Sequence, residues 1–390
     1  MARPSDLSMH NRRDRLDPLP ELGALSARAP LAEADLTDGP TPSMGWLVTG
    51  PEEVRAVLGD AERFSTAPPA DGSRPVQPGN LIQYDPPDHT RLRQLLTPEF
   101  TVRRMSRLRP AVDAVVADCL DALEKAGQSA DFMRYVAWPL PGLVMSELFG
   151  VPRDDRAELA RVLKVSRPAF RGRQVQMTAG AAYLSYVDQL VTRKRRDPGD
   201  DLLGRLVRDH GDDISHEELV GLTAFVIGSG VENMASMLGL GILALLENPT
   251  QLAQLRQCPH LIDQAVEELI RYLSIIPTAS PRTARADVPL GGRVIKAGDR
   301  VACSLFAANR VRPPGTPPDR LDITREPAAH VGLGHGIHYC IGASLVRMEL
   351  TSAYLAVLNR FPELRCAVPP EEIRFRPQAP YGVETLPVAW

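Results

Sequence analysis

The sequence predicts a mainly α, single-domain protein, with small β-sheets attached to a body built on one long central helix. Three observations point there. Apolar residues recur at helical spacing through most of the chain. One segment, opening at Ser215, holds that pattern for about 30 residues, or roughly 45 Å of helix at ~1.5 Å per residue. Strand signals are few and late, and no internal repeat, βαβ alternation or shift in composition marks a second domain.

The opening stretch, MARPSDLSMHNRRDRLDPLPEL, carries charges without an apolar run, so it reads as neither a signal peptide nor an anchor. Residues 1–12 read as a flexible N-terminal segment. Residues 103–125 form a helix, with Pro110 near its start. Residues 141–150 form another, stopped by Gly150 and Pro152. Residues 181–208 read as two amphipathic helices separated by Pro198 and Gly199. Ser215 and Glu218 have capping-box spacing, and the helix they open runs to about Leu246, where Asn248 and Pro249 stop it. It is apolar nearly all round and therefore belongs at the centre. Strands over 282–290, Arg293–Ile295 and Arg300–Cys303 surround two glycine-bearing turns as small hairpins. Pro-rich stretches at 67–88 and 312–318 read as long ordered loops.

A net charge of -3 supplies no global basic field, which argues against nucleic acid as a partner. No run of about 18 uninterrupted apolar residues occurs, so a spanning helix is not expected. The expectation is a soluble, cytoplasmic monomer with no membrane partner. Five cysteines, scattered and odd in number, argue against a disulfide framework, and no CxxC pair signals structural zinc. A cysteine that matters here matters alone.

Residues 330–342 read HVGLGHGIHYCIG, so that Gly332, Gly334, Gly336 and Gly342 surround Cys340. Backbone N–H groups around a sulfur stabilise the thiolate, the form that binds metal. A helix over 343–359 would add its positive N-terminal end. Taken alone, the loop allows a buried free cysteine in a glycine turn, a metal site of His335, His338 and Cys340, or a metal-bound Cys340.

The order G-x-G-x-H-x-C-x-G resembles the haem-binding loop of the cytochromes P-450, with Leu333 where that family usually has phenylalanine. Three more motifs follow the same resemblance. Glu268-Leu269-Ile270-Arg271 resembles its E-x-x-R, and Asp85 to Arg93 (DPPDHTRLR) resembles its D-P-P-x-H-x-x-x-R. Ser229-Gly230-Val231-Glu232-Asn233 resembles its A-G-x-[DE]-T, with asparagine in the place of threonine. The likeness extends from about residue 45 to 390 and is closest in style to soluble actinobacterial members.

The resemblance implies a single-domain P-450 fold whose long helix lies over haem b (iron protoporphyrin IX). It makes Cys340 the axial thiolate and metal ligand, in a loop whose Gly334 and Gly342 approach the cofactor. His89, Arg93, Arg282 and His338 become propionate partners, with Arg285 a rival to Arg282. Glu268, Arg271 and Arg320 become a structural brace. Gly230 leaves room for dioxygen and Glu232 relays protons. Asn233 either holds the proton-carrying water, leaves proton delivery to the substrate, or bonds a helix carbonyl. The substrate pocket falls to the 67–84 loop, residues near Phe170 and Met177, and Phe225, Val226, Ser229, Ile276, Thr278 and Tyr381.

The activity implied is a monooxygenase that uses dioxygen to oxidise a largely apolar or aromatic small molecule. It would tailor a secondary metabolite by hydroxylation or oxidative aromatic coupling, a cyclic dipeptide being one candidate. Electrons would come from NAD(P)H through a ferredoxin reductase and a ferredoxin. The ferredoxin would dock on Arg91, Arg103, Arg104, Arg107 and Arg109. The alternative class is a non-catalytic haem-thiolate sensor of a ligand or gas.

Overall fold

The structure is a computed structural model that describes residues 11–37, 43–68, 76–166, 173–310, 319–326, 329–376 and 378–390. Residues 1–10, most of the expected flexible segment, lie outside the described residues, as does the 312–318 loop.

Ser215 Oγ accepts from the Glu218 N–H at 3.1 Å, and the Glu218 carboxylate accepts from the Ser215 N–H at 3.0 Å. This reciprocal cap satisfies two N-terminal donors and starts the central helix, His216–Glu247. Every residue from Met234 to Leu245 is buried. By length and composition alone the helix would pass for a membrane span, as a buried core helix also does. Its apolarity is used inside the protein instead, with 72% of its most apolar window buried. At Gly241 a Cβ would sit 1.9 Å from the Tyr354 hydroxyl, so glycine lets the helix Ala343–Arg360 approach closely. Tyr354 then donates to the Met237 carbonyl at 2.6 Å.

The helices around this axis follow the sequence signals, with one difference. Val102–Ala126 contains Pro110 well inside it, not near its start. Pro110 is exposed there, so the carbonyl it leaves without an amide faces water. Pro139–Leu148 stops before Gly150, whose φ of 63° a side chain would strain. Arg173–Arg196 and Leu202–His210 are separated by the turn at Gly199.

Strands are neither only late nor only hairpins. The main sheet has five strands in the order Leu31–Asp35, Met44–Val48, Arg300–Cys303, Arg282–Ala284, Phe64–Ser65. The Met44–Val48 and Arg300–Cys303 pair is parallel and the others are antiparallel. The two early strands escape a propensity reading because LAEAD and MGWLV hold few β-branched residues. Nor is 282–290 one strand: it breaks after Ala284, where the Arg285 N–H turns to the Arg63 carbonyl.

Candidate active site

A cavity of about 300 Å³ lies between the central helix and the cysteine loop. The helix presents Val226, Ser229, Gly230, Asn233 and Met237 to it, spaced as one helical face requires. Asn233 therefore faces the cavity. Glu232 does not line it: on a 100° helical step it points away from both Gly230 and Asn233. Its charge is felt instead by the Tyr183 hydroxyl and the Arg376 guanidinium on another side of the helix. A proton relay through Glu232 would therefore run from outside the cavity wall. A Cβ at Gly230 would lie 2.4 Å from the Met145 methyl, so the open space there is bounded by Met145, which also lines the cavity.

The opposite wall is the cysteine loop. Gly334 and Gly336 have φ of 79° and 71°, which lets the chain fold back so that the Cys340 N–H reaches the Leu333 carbonyl at 2.9 Å. Cys340 lies deep in the protein, with part of its surface open to the cavity. Burial pushes its thiol above the ordinary value, opposed by the Gly342 N–H, Arg93 and Arg347. The same groups that resist the shift favour a thiolate once a cation is present to pair with it. Among the described residues no group of His, Cys, Asp and Glu converges as a metal site, which removes the His335–His338–Cys340 reading. His335 lies instead against Gly59.

To one side, basic groups collect. His89 and Arg93 share a face of helix Asp88–Leu96. The rings of His89 and His338 meet at 4.4 Å, and the His338 Nε2 lies 3.2 Å from Thr66 Oγ1. Burial, with His89, Arg282 and Arg93 adding repulsion, drives His338 down to about 3. Burial likewise lowers His89 and Arg282. The nearest acid, Asp85, is already engaged by Arg285 at 2.7 Å and by Ser65 and Thr66. Both ring nitrogens of His89 are buried without a partner. His89 lies just behind the wall, while the guanidiniums of Arg93 and Arg282 line the cavity with His338 beside them, a setting that favours an anionic ligand. The two propionates of haem are such anions, so the residues fit the group. Arg282 lines this cavity and Arg285 does not, which separates the two rivals.

Beneath the loop lies the brace. Glu268, buried, accepts from Arg271 Nε at 2.6 Å and Nη2 at 2.7 Å, and from the Asp322 N–H at 3.0 Å. The third member differs from the expected one. Arg320 is exposed and contributes only its carbonyl, to Arg271 at 3.3 Å and Arg325 at 3.1 Å. The guanidinium that reaches Glu268, at 3.2 Å, belongs to Arg325. Arg271 also donates to the Asn309 carbonyl at 2.6 Å, and Asn309 Oδ1 accepts from the Val331 N–H at 2.8 Å. The brace is thereby tied to the first turn of the cysteine loop.

Two further acids, one half-buried and one buried, escape a motif reading. Burial would raise Glu267, but hydrogen bonds from His330 and Arg347 hold it down to about 2 and tie both ends of the loop to one carboxylate. Glu349 lines the cavity with neither oxygen hydrogen-bonded, and burial pushes it up to about 8, so it is largely neutral at pH 7.

The pocket expectations divide. Phe225, Val226, Ser229 and Ile276 line the cavity. Thr278 does not: its backbone bridges to Ser304. Tyr381 does not either, since its ring stacks on Phe375 at 5.6 Å and beside Arg13. It acts through its N–H, which holds the carbonyl of cavity-lining Ile275 at 2.8 Å. Phe170, the side chain of Met177 and residues 69–75 lie outside the described residues. Of the five arginines, Arg91 pairs with Glu218 and Arg104 with Glu99, leaving Arg103, Arg107 and Arg109 exposed.

A lone cysteine aimed at an apolar cavity beneath a long helix, with a cationic flank shaped for carboxylates, defines a haem-thiolate protein. The family model for cytochrome P-450 matches residues 259–377. Cytochrome P-450 165A3 of Amycolatopsis orientalis is 44% identical over 382 residues, covering 97% of each chain. The structure of OxyE, a cytochrome P-450 involved in teicoplanin biosynthesis, is similar with a TM-score of 0.92 at 47% identity, over 98% of this chain and 100% of that one. OxyC, implicated in an oxidative C–C coupling reaction during vancomycin biosynthesis, gives 0.90 at 43%, over 97% and 96%. This chain belongs to the cytochrome P-450 family. It is a monooxygenase of that class acting in secondary metabolism, not a non-catalytic sensor.

Proposed function

We propose that this enzyme joins or hydroxylates aromatic rings of a peptide natural product, a cyclic dipeptide being the smallest member of that class. The observation that carries this reading is the shape of the site. The inner cavity is lined mainly by apolar side chains and opens through Thr66, Ile82, Phe225 and Ser280 to an outer cleft of about 1020 Å³. That cleft offers Asn80, Gln83, Arg285 and Arg300 to a polar chain. An aromatic ring suits the apolar wall of Phe225, Val226, Ile275 and Ile276 that haem at Cys340 would leave open, and amide and carboxylate groups suit the outer cleft. The likeness to OxyC, implicated in an oxidative C–C coupling reaction, supports the same class. Titration of the holoprotein with linear aromatic peptides and with apolar non-peptides of equal size tests it. Peptides should give the tighter spectral binding, and binding confined to the non-peptides would contradict the reading.

Haem b, held by Cys340 and flanked by His89, Arg93, Arg282 and His338, would supply reductive activation of dioxygen, with the thiolate favouring O–O cleavage. The part played by the chain is proton placement. The Asn233 amide can donate through Nδ2 and accept through Oδ1, so it holds a water but does not itself give up a proton at neutral pH. Asn233→Ala is expected to bind substrate normally while diverting a several-fold larger share of NAD(P)H to peroxide. Asn233→Thr should retain most of the coupling. Peroxide and product yields per NAD(P)H check this, and an alanine variant that uncouples only with substrates lacking N–H or O–H groups would move the proton source to the substrate.

A ferredoxin, reduced through its reductase, fits the remaining positive face, and the enzyme is read as a cytoplasmic monomer. With Arg91 and Arg104 already paired, the docking charge reduces to Arg103, Arg107 and Arg109. Charge reversal at Arg103 and Arg107 should slow the first electron transfer by about tenfold at low salt and flatten its salt dependence. Stopped-flow rates indifferent to both would remove this surface from consideration.

A further inference from the structure

Near the start of the described chain, Arg13–Asp14 pairs antiparallel with Asp17–Pro18 in a small hairpin. Arg15 in its turn has a φ of 54°, and Leu16 beside it is buried in the main core. A two-stranded hairpin this short is not stable alone, so its place is fixed by what it touches. Arg15 pairs with Glu247 at the end of the central helix. Arg310 donates to the Leu16 carbonyl at 3.0 Å and to Asp17 at 3.2 Å. Arg13 makes the contact that concerns the cavity. Its two terminal nitrogens donate to the carbonyls of Leu273 and Ser274. Its guanidinium carbon lies 3.7 Å from the centre of the Phe306 ring and 4.7 Å from that of Tyr381.

Those two carbonyls stand where the backbone changes direction. Helix Ile262–Leu273, which carries the brace, ends there, and Ser274 caps it in the left-handed region at a φ of 37°. Carbonyls of a last helical turn lack helical partners and favour a cation. The next two residues, Ile275 and Ile276, line the cavity. Three successive carbonyls at this exit are therefore held from outside the helix. Arg13 takes those of Leu273 and Ser274, and the Tyr381 N–H takes that of Ile275 at 2.8 Å. A planar fork on two adjacent carbonyls fixes the direction in which the chain leaves, which a single donor does not. Neither Arg13 nor Tyr381 lines the cavity itself.

We propose that Arg13 is a positioning residue for the substrate pocket: by holding the Leu273 and Ser274 carbonyls, it fixes where Ile275 and Ile276 stand in the apolar wall. The fit of the cavity to the apolar part of a ligand then depends on a side chain 260 positions before the helix end that it grips. The inference needs only that the two isoleucines face the cavity, and holds whichever substrate the enzyme takes.

The test uses the Arg13→Met holoprotein, which keeps an unbranched stem against Phe306 and Tyr381 and loses both donors. An unchanged carbonyl-bound Soret band is the control for folding. Imidazole and 4-phenylimidazole are titrated spectrally: the first reads access to the haem iron alone, and the second also sets a ring against the apolar wall. Arg13→Met should weaken 4-phenylimidazole about tenfold relative to imidazole, the effect of a modest misfit in an apolar pocket. Arg13→Lys keeps a cation over Phe306 without the fork, so it should lose about threefold. Hydrogen exchange at the Tyr381 amide, bonded to the Ile275 carbonyl, should quicken in both variants. A parent-like ratio of the two affinities in Arg13→Met would overturn the proposal, even with faster exchange, since Arg13 would then be a local contact. Equal weakening of both probes would overturn it as well, since Arg13 would then support the whole fold and not this wall. Should Arg13→Met fail to hold haem, Arg13→Lys decides alone, a shifted ratio supporting the proposal and a parent-like one overturning it.

Discussion

Cys340→Ala is expected to lose the thiolate-type spectrum completely, while each of the other four cysteines can be replaced with that spectrum intact. Cys340 is the one cysteine of the five that lines the cavity. Cys119 and Cys303 are packed into the core, where burial pushes each thiol up to about 12 and keeps it an inert apolar group. Cys258 and Cys366 are half-buried at sites away from the cavity. Alanine at 340 leaves the cationic flank of His89, Arg93, Arg282 and His338 in place, so some haem is expected to remain, weakly held and without sulfur ligation. Haem content and the reduced, carbonyl-bound spectrum of the five single variants decide the matter. A parent-like spectrum in Cys340→Ala would contradict the assignment, as would its loss in Cys303→Ala with the fold preserved.

The brace carries the second large effect. Glu268→Ala leaves two guanidiniums, Arg271 and Arg325, buried against a missing carboxylate. Breaking a buried pair by removing one partner costs about 3–5 kcal/mol, because the remaining charge has lost both its water and its partner. Arg271→Ala belongs in the same range, since it also frees the backbone carbonyl of Asn309, the residue whose side chain holds the loop at Val331. Arg325→Ala should cost less, as Arg271 still covers Glu268. Arg320→Ala removes an exposed side chain and keeps the carbonyl, so it should stay within about 0.5 kcal/mol of the parent. Denaturation midpoints and haem retention of the four variants check the order. Equal damage from Arg320→Ala and Arg271→Ala would return Arg320 to the brace.

That pair of arginines shows where sequence reading succeeds and stops. Glu268 and Arg271 are legible because a three-residue spacing on one helix fixes their mutual geometry before any tertiary contact forms. Arg320 and Arg325 stand on an irregular segment, where no period says which side chain turns inward, and the structure selects the later one. Glu232 and Asn233 make the same point inside a helix. The motif names both for the oxygen chemistry, but adjacent residues are a 100° step apart, and only the structure tells that Asn233 is the one that lines the cavity. Spacing arguments held wherever they rested on a cap or an apolar face, as at Ser215 with Glu218 and along 226, 229, 230 and 233. They failed for Leu31–Asp35 and Met44–Val48, whose strand character comes from their partners in the sheet, with Gly45 admitting the Arg300 backbone. Thr278 and Tyr381 were placed near the pocket by chain position. Both lie beside it, and Tyr381 supports Ile275 through its backbone alone. Glu349 and Arg13 carry no local signal at all, since one is defined by its burial and the other by contacts far along the chain.

The account rests on Cys340 meeting iron as a thiolate, and the absorption spectrum of the purified, reduced parent protein under carbon monoxide tests that most directly. Thiolate ligation predicts a strongly red-shifted Soret band, present in the parent and absent in Cys340→Ala. An unshifted Soret band would mean haem held by another ligand, and a haem-reconstituted sample with no Soret band would contradict the site altogether.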